Sequence, residues 1–247
     1  QSQPFTGMFT VAFSHFYEIS RNNGNKVHLD GNGLDEFFLG YDKYLNTDSF
    51  HLGQDLSGQI YNNFDFFSNE LISCPSAQKL LDVLSKFPSE LDIERKLSLA
   101  DLFYLKMPRA LRFNDHISMH HSCELRVPFL DHRLLKFALT LPKNFLINNN
   151  RKIGKFLIRD ILSEYSGPKF SLSNKRYIQT PQTEMLFGDL KNLLKNTLCT
   201  DRFYSRNIVD PKKFKNYLDK VDPSRIKNSY HIWRLLSYEW WCQQFLD

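Results

Sequence analysis

Residues 26–30, KVHLD, constrain this chain more than any other segment. They read as a short strand that runs straight into the glycine-containing turn GNGLDE and then into FFLGY, an apolar stretch suited to the start of a helix. A strand cannot satisfy its own backbone donors and acceptors, so it must pair with others. Nothing else in the 247 residues reads as a strand with the same clarity, so its neighbours are expected to come from outside this sequence.

Helical periodicity dominates the remainder. Residues 9–21 space Phe9, Phe13, Phe16 and Tyr17 as one helix face, with Gly24 as terminator. From residue 55 onward the pattern stays helical, and Leu99, Leu102, Leu105 and Met107 lead into the polar-edged segment RFNDHISMHHSCELRVPFLDH. Pro128 ends whatever helix precedes it, Asp131 can cap the next, and Pro142 stops that one. Over residues 152–165, Ile153, Phe156, Leu157, Ile161 and Leu162 form a stripe that predicts a core-facing helix closed by Gly167 and Pro168. A polar loop, SLSNKRYIQTPQ, follows, and in the last helix Ile232, Leu235, Leu236 and Trp240 mark a buried side. No internal repeat or low-complexity tract interrupts the pattern.

The formal net charge of +5 raises the question of nucleic acid, and the distribution of charge answers it. The 32 Lys and Arg do not gather, and the densest basic stretch, PKKFKNYLDK, is diluted by Asp219 and reads as a solvated helix face. No nucleic-acid partner is expected. Neither a secretory signal nor an apolar run long enough to span a membrane is legible, and the four cysteines lie far apart without metal or redox spacing. These features point to reduced thiols, a cytoplasmic address and no membrane partner.

Chemistry concentrates at the turn. A glycine-containing turn between the C-terminal end of a strand and a helix N-terminus is where open α/β sheets bind ligands, because free N–H groups and the helix dipole face the crevice. Gly31 and Gly33 permit positive φ and close approach of a phosphate or ribose, and Asp35 and Glu36 offer hard oxygen ligands. The plain alternative is a capped helix and an ordinary turn. Lys155 and Arg159, four residues apart, are expected to share one helix face, and the serine-rich loop beyond them carries Lys175 and Arg176. Cations on a loop suit a triphosphate or a departing pyrophosphate, although a solvated face and a basic loop read the same way. His116 and His120 have zinc-ligand spacing, with His121 adjacent, but no third ligand is evident nearby. No Ser or Cys sits in a nucleophile-elbow pattern.

Taken in order, HLDGNGLDEFFLGY, NDHISMHHSCELRVPFLDH, KFLIRD, SNKRYIQTP and IWRLLSYEWW resemble successive landmarks of the asparagine synthetase family and the related β-lactam synthetases. The family forms read approximately as Gly-Glu-Gly-x-Asp-Glu followed by Gly-Tyr, then Glu-x-Arg-Val-Pro-Phe-Leu-Asp, then Lys-x-x-Leu-Arg and a lysine-bearing loop. The resemblance implies the C-terminal part of an α/β domain of adenine-nucleotide α-hydrolase type, predominantly helical in this chain and with an incomplete parallel sheet. It also implies an ATP- and Mg²⁺-dependent reaction in which a carboxylate is adenylated, pyrophosphate leaves and ammonia captures the acyl group. By motif matching, Asp35 goes to Mg²⁺, Lys155 and Lys175 to the phosphates, with Lys175 catalytic. Asp30 and Gly31 replace the family's usual Ser-Gly pair against the nucleotide, and Gly33, Arg159 and Arg176 join that binding set. Asp115, Glu124 and Arg126 are expected to brace the site through buried charge pairing.

Two departures stand out. Asn32 occupies the position of the glutamate that asparagine synthetases assign to the acyl-adenylate and ammonia steps, and an amide cannot accept that proton. The carboxylate substrate is thus open, on a small molecule, sugar or peptide. The family's Ser-Gly-Gly-x-Asp-Ser phosphate loop and its glutaminase domain are absent from these residues. The partners implied are a polypeptide supplying that loop with the neighbouring strands, and a glutaminase domain or subunit. A non-catalytic binding or structural module is the competing expectation.

Overall fold

A computed structural model describes residues 2–5, 7–45, 64–68, 76–148, 150, 153–173, 180–226 and 229–247. Helix α1 (Phe9–Asn22) leads to strand β1 (Val27–Leu29), the one-turn helix α2 (Leu34–Phe37) and α3 (Asp42–Leu45). Then come α4 (Ser76–Leu84), α5 (Ile93–Ala100), a π-helical turn (Asp101–Leu105), α6 (Met107–His120), β2 (Glu124–Arg126) and a 3₁₀ turn (Pro128–Leu130). The middle of the chain continues through α7 (His132–Thr140), α8 (Lys143–Leu146), β3 (Ile147–Asn148), β4 (Ile153–Gly154), α9 (Phe156–Ser166) and α10 (Pro168–Ser171). It ends in α11 (Gln182–Phe187), α12 (Lys191–Leu198), α13 (Asp201–Tyr204), α14 (Pro211–Lys220) and α15 (Tyr230–Phe245). The chain is thus a predominantly helical α/β protein with small sheets.

The sheet corrects one expectation. β1 pairs with β2 from this same chain, parallel, in the register Val27 to Glu124, His28 to Leu125 and Leu29 to Arg126. The ladder runs on at both ends, with Glu124 N–H donating to Lys26 O at 2.7 Å and Asp30 N–H donating to Arg126 O at 2.8 Å. β2 escaped notice because only its central residue, Leu125, is apolar and turned inward, while Glu124 and Arg126 are exposed. A three-residue strand of that kind carries no β signature of its own. Between the two parallel strands runs the long crossover that such pairing demands.

Among the described residues, three cores hold the elements together. Tyr17, Ile117 and Cys123, with Phe13 and Leu125, bind α1 and α6 to the inner face of the β1–β2 pair. Phe37, Phe38, Leu39, Tyr44, Leu97, Ala138 and Leu146 belong to the central core, which sits under the turn after β1. Phe66, Leu186, Phe203, Phe214, Ile232, Leu235 and Leu236 belong to the C-terminal core. The N-terminal segment fastens onto this last core, since Phe5 N–H donates to Ser237 Oγ at 3.0 Å and Met8 N–H to Gln182 Oε1 at 2.8 Å.

Two helix readings are also corrected. FFLGY does not continue a helix: α2 stops at Phe37, and Leu39 takes φ 53 before Gly40. Residues 153 and 154 pair as β4 with β3, so the predicted helix over 152–165 begins only at Phe156, and Lys155 stands before it with φ 57. Nor is that helix wholly core-facing. Leu157 and Ile158 pack on the central core, but Ile161 and Leu162 are exposed, because the helix lies at the surface with one turn against the body. The expected capping of α7 by Asp131 is present, its carboxylate accepting from Arg133 N–H at 2.8 Å.

Candidate active site

The turn after β1 is built by side chain and backbone together. Asp30 Oδ1 accepts a hydrogen bond from Asn32 N–H at 2.8 Å, the local closure by which Asp favours turns. Gly33 follows in the left-handed region at φ 98, immediately before α2. A β-carbon there would also overlap Leu130, so the side chain that Gly33 lacks makes room for the PFL turn of the ELRVPFLD motif. Gly31 differs: its φ is not positive, and a β-carbon on it would meet nothing within 4 Å. Open space lies beside it.

Asp35 and Glu36 occupy the first turn of α2, where the dipole favours anions, and they point to different surroundings. Asp35 Oδ1 lies 2.9 Å from Lys155 Nζ. Backbone contact between distant segments makes this pair possible. Lys155 N–H donates to Phe38 O at 2.8 Å, and Gly154 lies flat against the Leu39–Gly40 peptide, where any β-carbon would overlap Leu39 O. A β-carbon on Gly40 would overlap Asp35 Oδ1 and approach Lys155 Cδ to 2.9 Å. Two glycines, each with hydrogen where another residue has carbon, thus let the ion pair close over the floor of the site. Lys155 reaches it from a left-handed position ahead of α9 rather than from that helix's face, which corrects the expected sharing of a face with Arg159.

Glu36 turns the other way and is buried beneath α2. Lys106 Nζ sits 3.5 Å from Glu36 Oε1 and 3.3 Å from the centroid of the Tyr41 ring. Beside it Asp101, fully buried in the π-helical turn, receives Lys43 Nζ at 2.5 Å and the Tyr44 hydroxyl at 2.5 Å. Desolvation leads the shifts here: burial lowers the Lys106 ammonium below its ordinary pKa against the pull of Glu36 and Asp101. Burial and the nearby carboxylates raise the Tyr41 and Tyr44 phenols, which stay protonated. Two carboxylates and two ammonium groups balance in a space that would not tolerate one alone. This layer was missed in the sequence, although Asp101 within LADLFYL, a charge at an apolar helical position, is the signal that marks it.

Of the predicted site residues, Asp30, Gly31, Asn32, Gly33, Asp35 and Lys155 come together around the end of β1. Arg159 lies one turn beyond Lys155 on α9, where Nη1 donates to Ser171 O at 2.8 Å and to Ser173 O at 2.7 Å. Lys175 and Arg176 fall outside the described residues. Asn32 Nδ2 is buried at the turn without a hydrogen-bond partner, and so is Arg159 Nε on α9. The bracing predicted for Asp115, Glu124 and Arg126 is not observed: Asp115 is exposed, and Glu124 pairs with Arg126 at 2.8 Å on the open surface of β2. An exposed pair of that kind braces little.

Among the described residues no group of three or more His, Cys, Asp or Glu gathers, and His116 and His120 are exposed on α6 without a third ligand. Asp35 is a single carboxylate already facing an ammonium group. That set fits Mg²⁺ in its usual role, carried by substrate phosphates and touched by one or two carboxylates, and does not fit an all-protein cage. No helix of the described residues is long and apolar enough to cross a membrane.

The sequence profile of the asparagine synthase family matches residues 1–243. The chain is also 29% identical, over 146 residues, to the glutamine-hydrolysing asparagine synthetase of Gallus gallus, an alignment covering 58% of this chain. It spans 24% of that relative's length.

Proposed function

Because the chain belongs to the asparagine synthase family, we propose that it forms part of an ATP-dependent, amide-forming ligase that adenylates a carboxylate and transfers ammonia to it. The observation that carries this reading is the Asp35–Lys155 pair, held at 2.9 Å at the C-terminal end of a parallel strand. An anion of one sign and a cation of the other, side by side at the mouth of a helix-opening turn, match what a metal-bound polyphosphate requires. ATP supplies the activated phosphorus to which the carboxylate adds, with pyrophosphate as leaving group. Asp35 would hold a Mg²⁺ bound to the phosphates, which would supply charge neutralisation there, and Lys155 would offer its ammonium to the phosphate oxygens. Gly31, with open space beside it, lets the nucleotide approach the turn together with Asp30.

Lys175 is the catalytic group in this reading, its ammonium neutralising charge as pyrophosphate departs, with Arg159 and Arg176 adding positive potential nearby. Asn32 donates and accepts hydrogen bonds but takes no proton, which points to a carboxylate other than that of aspartate, on a sugar or peptide. Completion of the sheet falls to polypeptide outside this sequence. Val27 and Leu29 are 47% and 77% exposed on the outer face of β1, where further strands carrying the phosphate loop find an apolar seat. Ammonia comes from a glutaminase domain or subunit.

The second reading, a non-catalytic module, draws on Asn32 alone. ATP–pyrophosphate exchange by the chain assembled with a polypeptide bearing the Ser-Gly-Gly-x-Asp-Ser loop separates the two. Exchange is expected, and Lys175→Ala abolishes it with the thermal midpoint unchanged, since a lysine within the polar sequence SLSNKRYIQTPQ is not expected to contribute core packing. An assembly that never exchanges pyrophosphate leaves only the module.

A further inference from the structure

Resting on the adenylation reading, in which Asp35 meets the metal-bound phosphates, we propose that Lys106 is a positioning residue: it fixes the rotation of α2, and with it the Asp35 carboxylate and the segment that receives Lys155. A helix of four residues does not set its own direction. Its turn closes through Phe37 N–H to Gly33 O at 2.8 Å, Phe38 N–H to Leu34 O at 3.2 Å and Gly40 N–H to Asp35 O at 2.7 Å, and so short a helix is marginal without outside contacts. Leu34 and Phe37 pack on the central core, an attachment without direction. Glu36 supplies the directional ones. Lys106 Nζ stands 3.5 Å from its carboxylate, and Ser98 Oγ donates to its backbone carbonyl. Successive residues of a helix are turned by about 100°, so holding the Glu36 side chain beneath α2 sets where Asp35 leaves it.

Lys106 reaches both ends of the strip from residue 36 to residue 41. Tyr41, next after Gly40, hydrogen-bonds Glu36 and presents its ring to the same ammonium, with 3.3 Å from Nζ to the centroid. Between them lie Phe38, whose carbonyl accepts from Lys155 N–H at 2.8 Å, and the Leu39–Gly40 peptide on which Gly154 rests. One ammonium therefore pins the strip that follows Asp35 and receives Lys155. Lys106 is itself fixed. Its N–H closes the π-helical turn onto Asp101 O at 3.0 Å, immediately before α6 begins, so the side chain starts from a held backbone. Asp101 has its own partners in Lys43 and the Tyr44 hydroxyl, each at 2.5 Å.

Amide hydrogen exchange on the full chain reads this grip without nucleotide. Glu36→Gln combined with Lys106→Met replaces the ion pair by a neutral one and leaves no uncompensated charge, so the chain stays folded. In this double variant the amides of Phe37, Phe38, Gly40 and Lys155 should exchange about tenfold faster than in the unsubstituted chain, because local opening of α2 costs less. Those of Phe214 and Trp233, in the C-terminal core, should hold. Unchanged protection at the four amides overturns the proposal, as does a uniform quickening across the chain. In the assembled enzyme the double variant should need about tenfold more Mg²⁺ for half-maximal pyrophosphate exchange while keeping most of the rate at saturating Mg²⁺, since Asp35 is no longer held toward the phosphates. An unchanged Mg²⁺ requirement beside a loosened α2 also overturns it. Should the unsubstituted assembly show no pyrophosphate exchange, the adenylation reading falls, while the amide comparison still decides whether Lys106 holds α2.

Discussion

At Gly154 the backbone of one segment rests on the Leu39–Gly40 peptide of another, and hydrogen is the only side chain that fits. Gly154→Ala is expected to force the two segments apart, lowering stability by about 1–3 kcal/mol or more by chemical denaturation and opening the Asp35–Lys155 pair. Gly31→Ala, with empty space around it, is expected to stay within about 0.5 kcal/mol of the unsubstituted chain. Lys106 offers a second test at this scale. In Lys106→Met the carboxylate of Glu36 remains buried without its cation, a change that costs about 3–5 kcal/mol in systems of this kind. Glu36→Gln combined with Lys106→Met should recover most of that loss in urea unfolding, since a neutral pair has no uncompensated charge. No recovery would show that Lys106 acts through Asp101 or Tyr41 instead. Nothing in the local sequence announces the Gly154 contact or the Lys106–Glu36 pair, because each joins segments far apart in the chain.

Among elements, the β1–β2 pair has one face in the protein and one outside it. His28 and Leu125 turn inward toward Tyr17 and Ile117, whereas Val27 and Leu29 are open. Leu125→Ala should accordingly cost about 2 kcal/mol, and Leu29→Ala no more than about 0.5 kcal/mol, by urea midpoint. Equal effects would mean that a further element already covers the outer face. The helices α1, α7 and α15 were legible because each presents a sustained stripe or a cap to the reader of the sequence, whereas α14, read as a solvated face, buries Phe214 and Leu218 in the C-terminal core. β2 was not, since three residues with alternating exposure fall below any periodic signal, and only the partner strand reveals them.

Over the whole molecule, the C-terminal core carries a built-in acid limit. His231 stacks on Phe64 with ring centroids 3.9 Å apart and shares a hydrogen bond of 2.9 Å with the Tyr217 hydroxyl. Burial, helped by the Arg234 charge, pushes its pKa down from 6.5 to about 4. Between these two values the unfolded chain binds a proton that the folded chain refuses, so stability present above pH 6.5 is lost as pH falls toward 4. The loss amounts to about 3 kcal/mol at most. Thermal midpoints measured from pH 7 to pH 4 should decline, and His231→Phe should flatten the decline. An unchanged slope in that variant would assign the acid limit to other groups.

The sequence by itself determined the helical character, the single strong strand with its glycine turn, the family, and the roster of residues around the turn. Those properties reside in local periodicity and in contiguous motifs such as GNGLDE and ELRVPFLD, which survive without knowledge of contacts. Tertiary structure alone decided that Glu124–Arg126 completes a parallel pair, that Lys155 leaves the helix face to meet Asp35, that Arg159 grips the end of α10, and that Glu36 and Asp101 lie buried over two lysines. Each of these depends on backbone and charge brought together from distant parts of the chain, where packing and desolvation outweigh local preference.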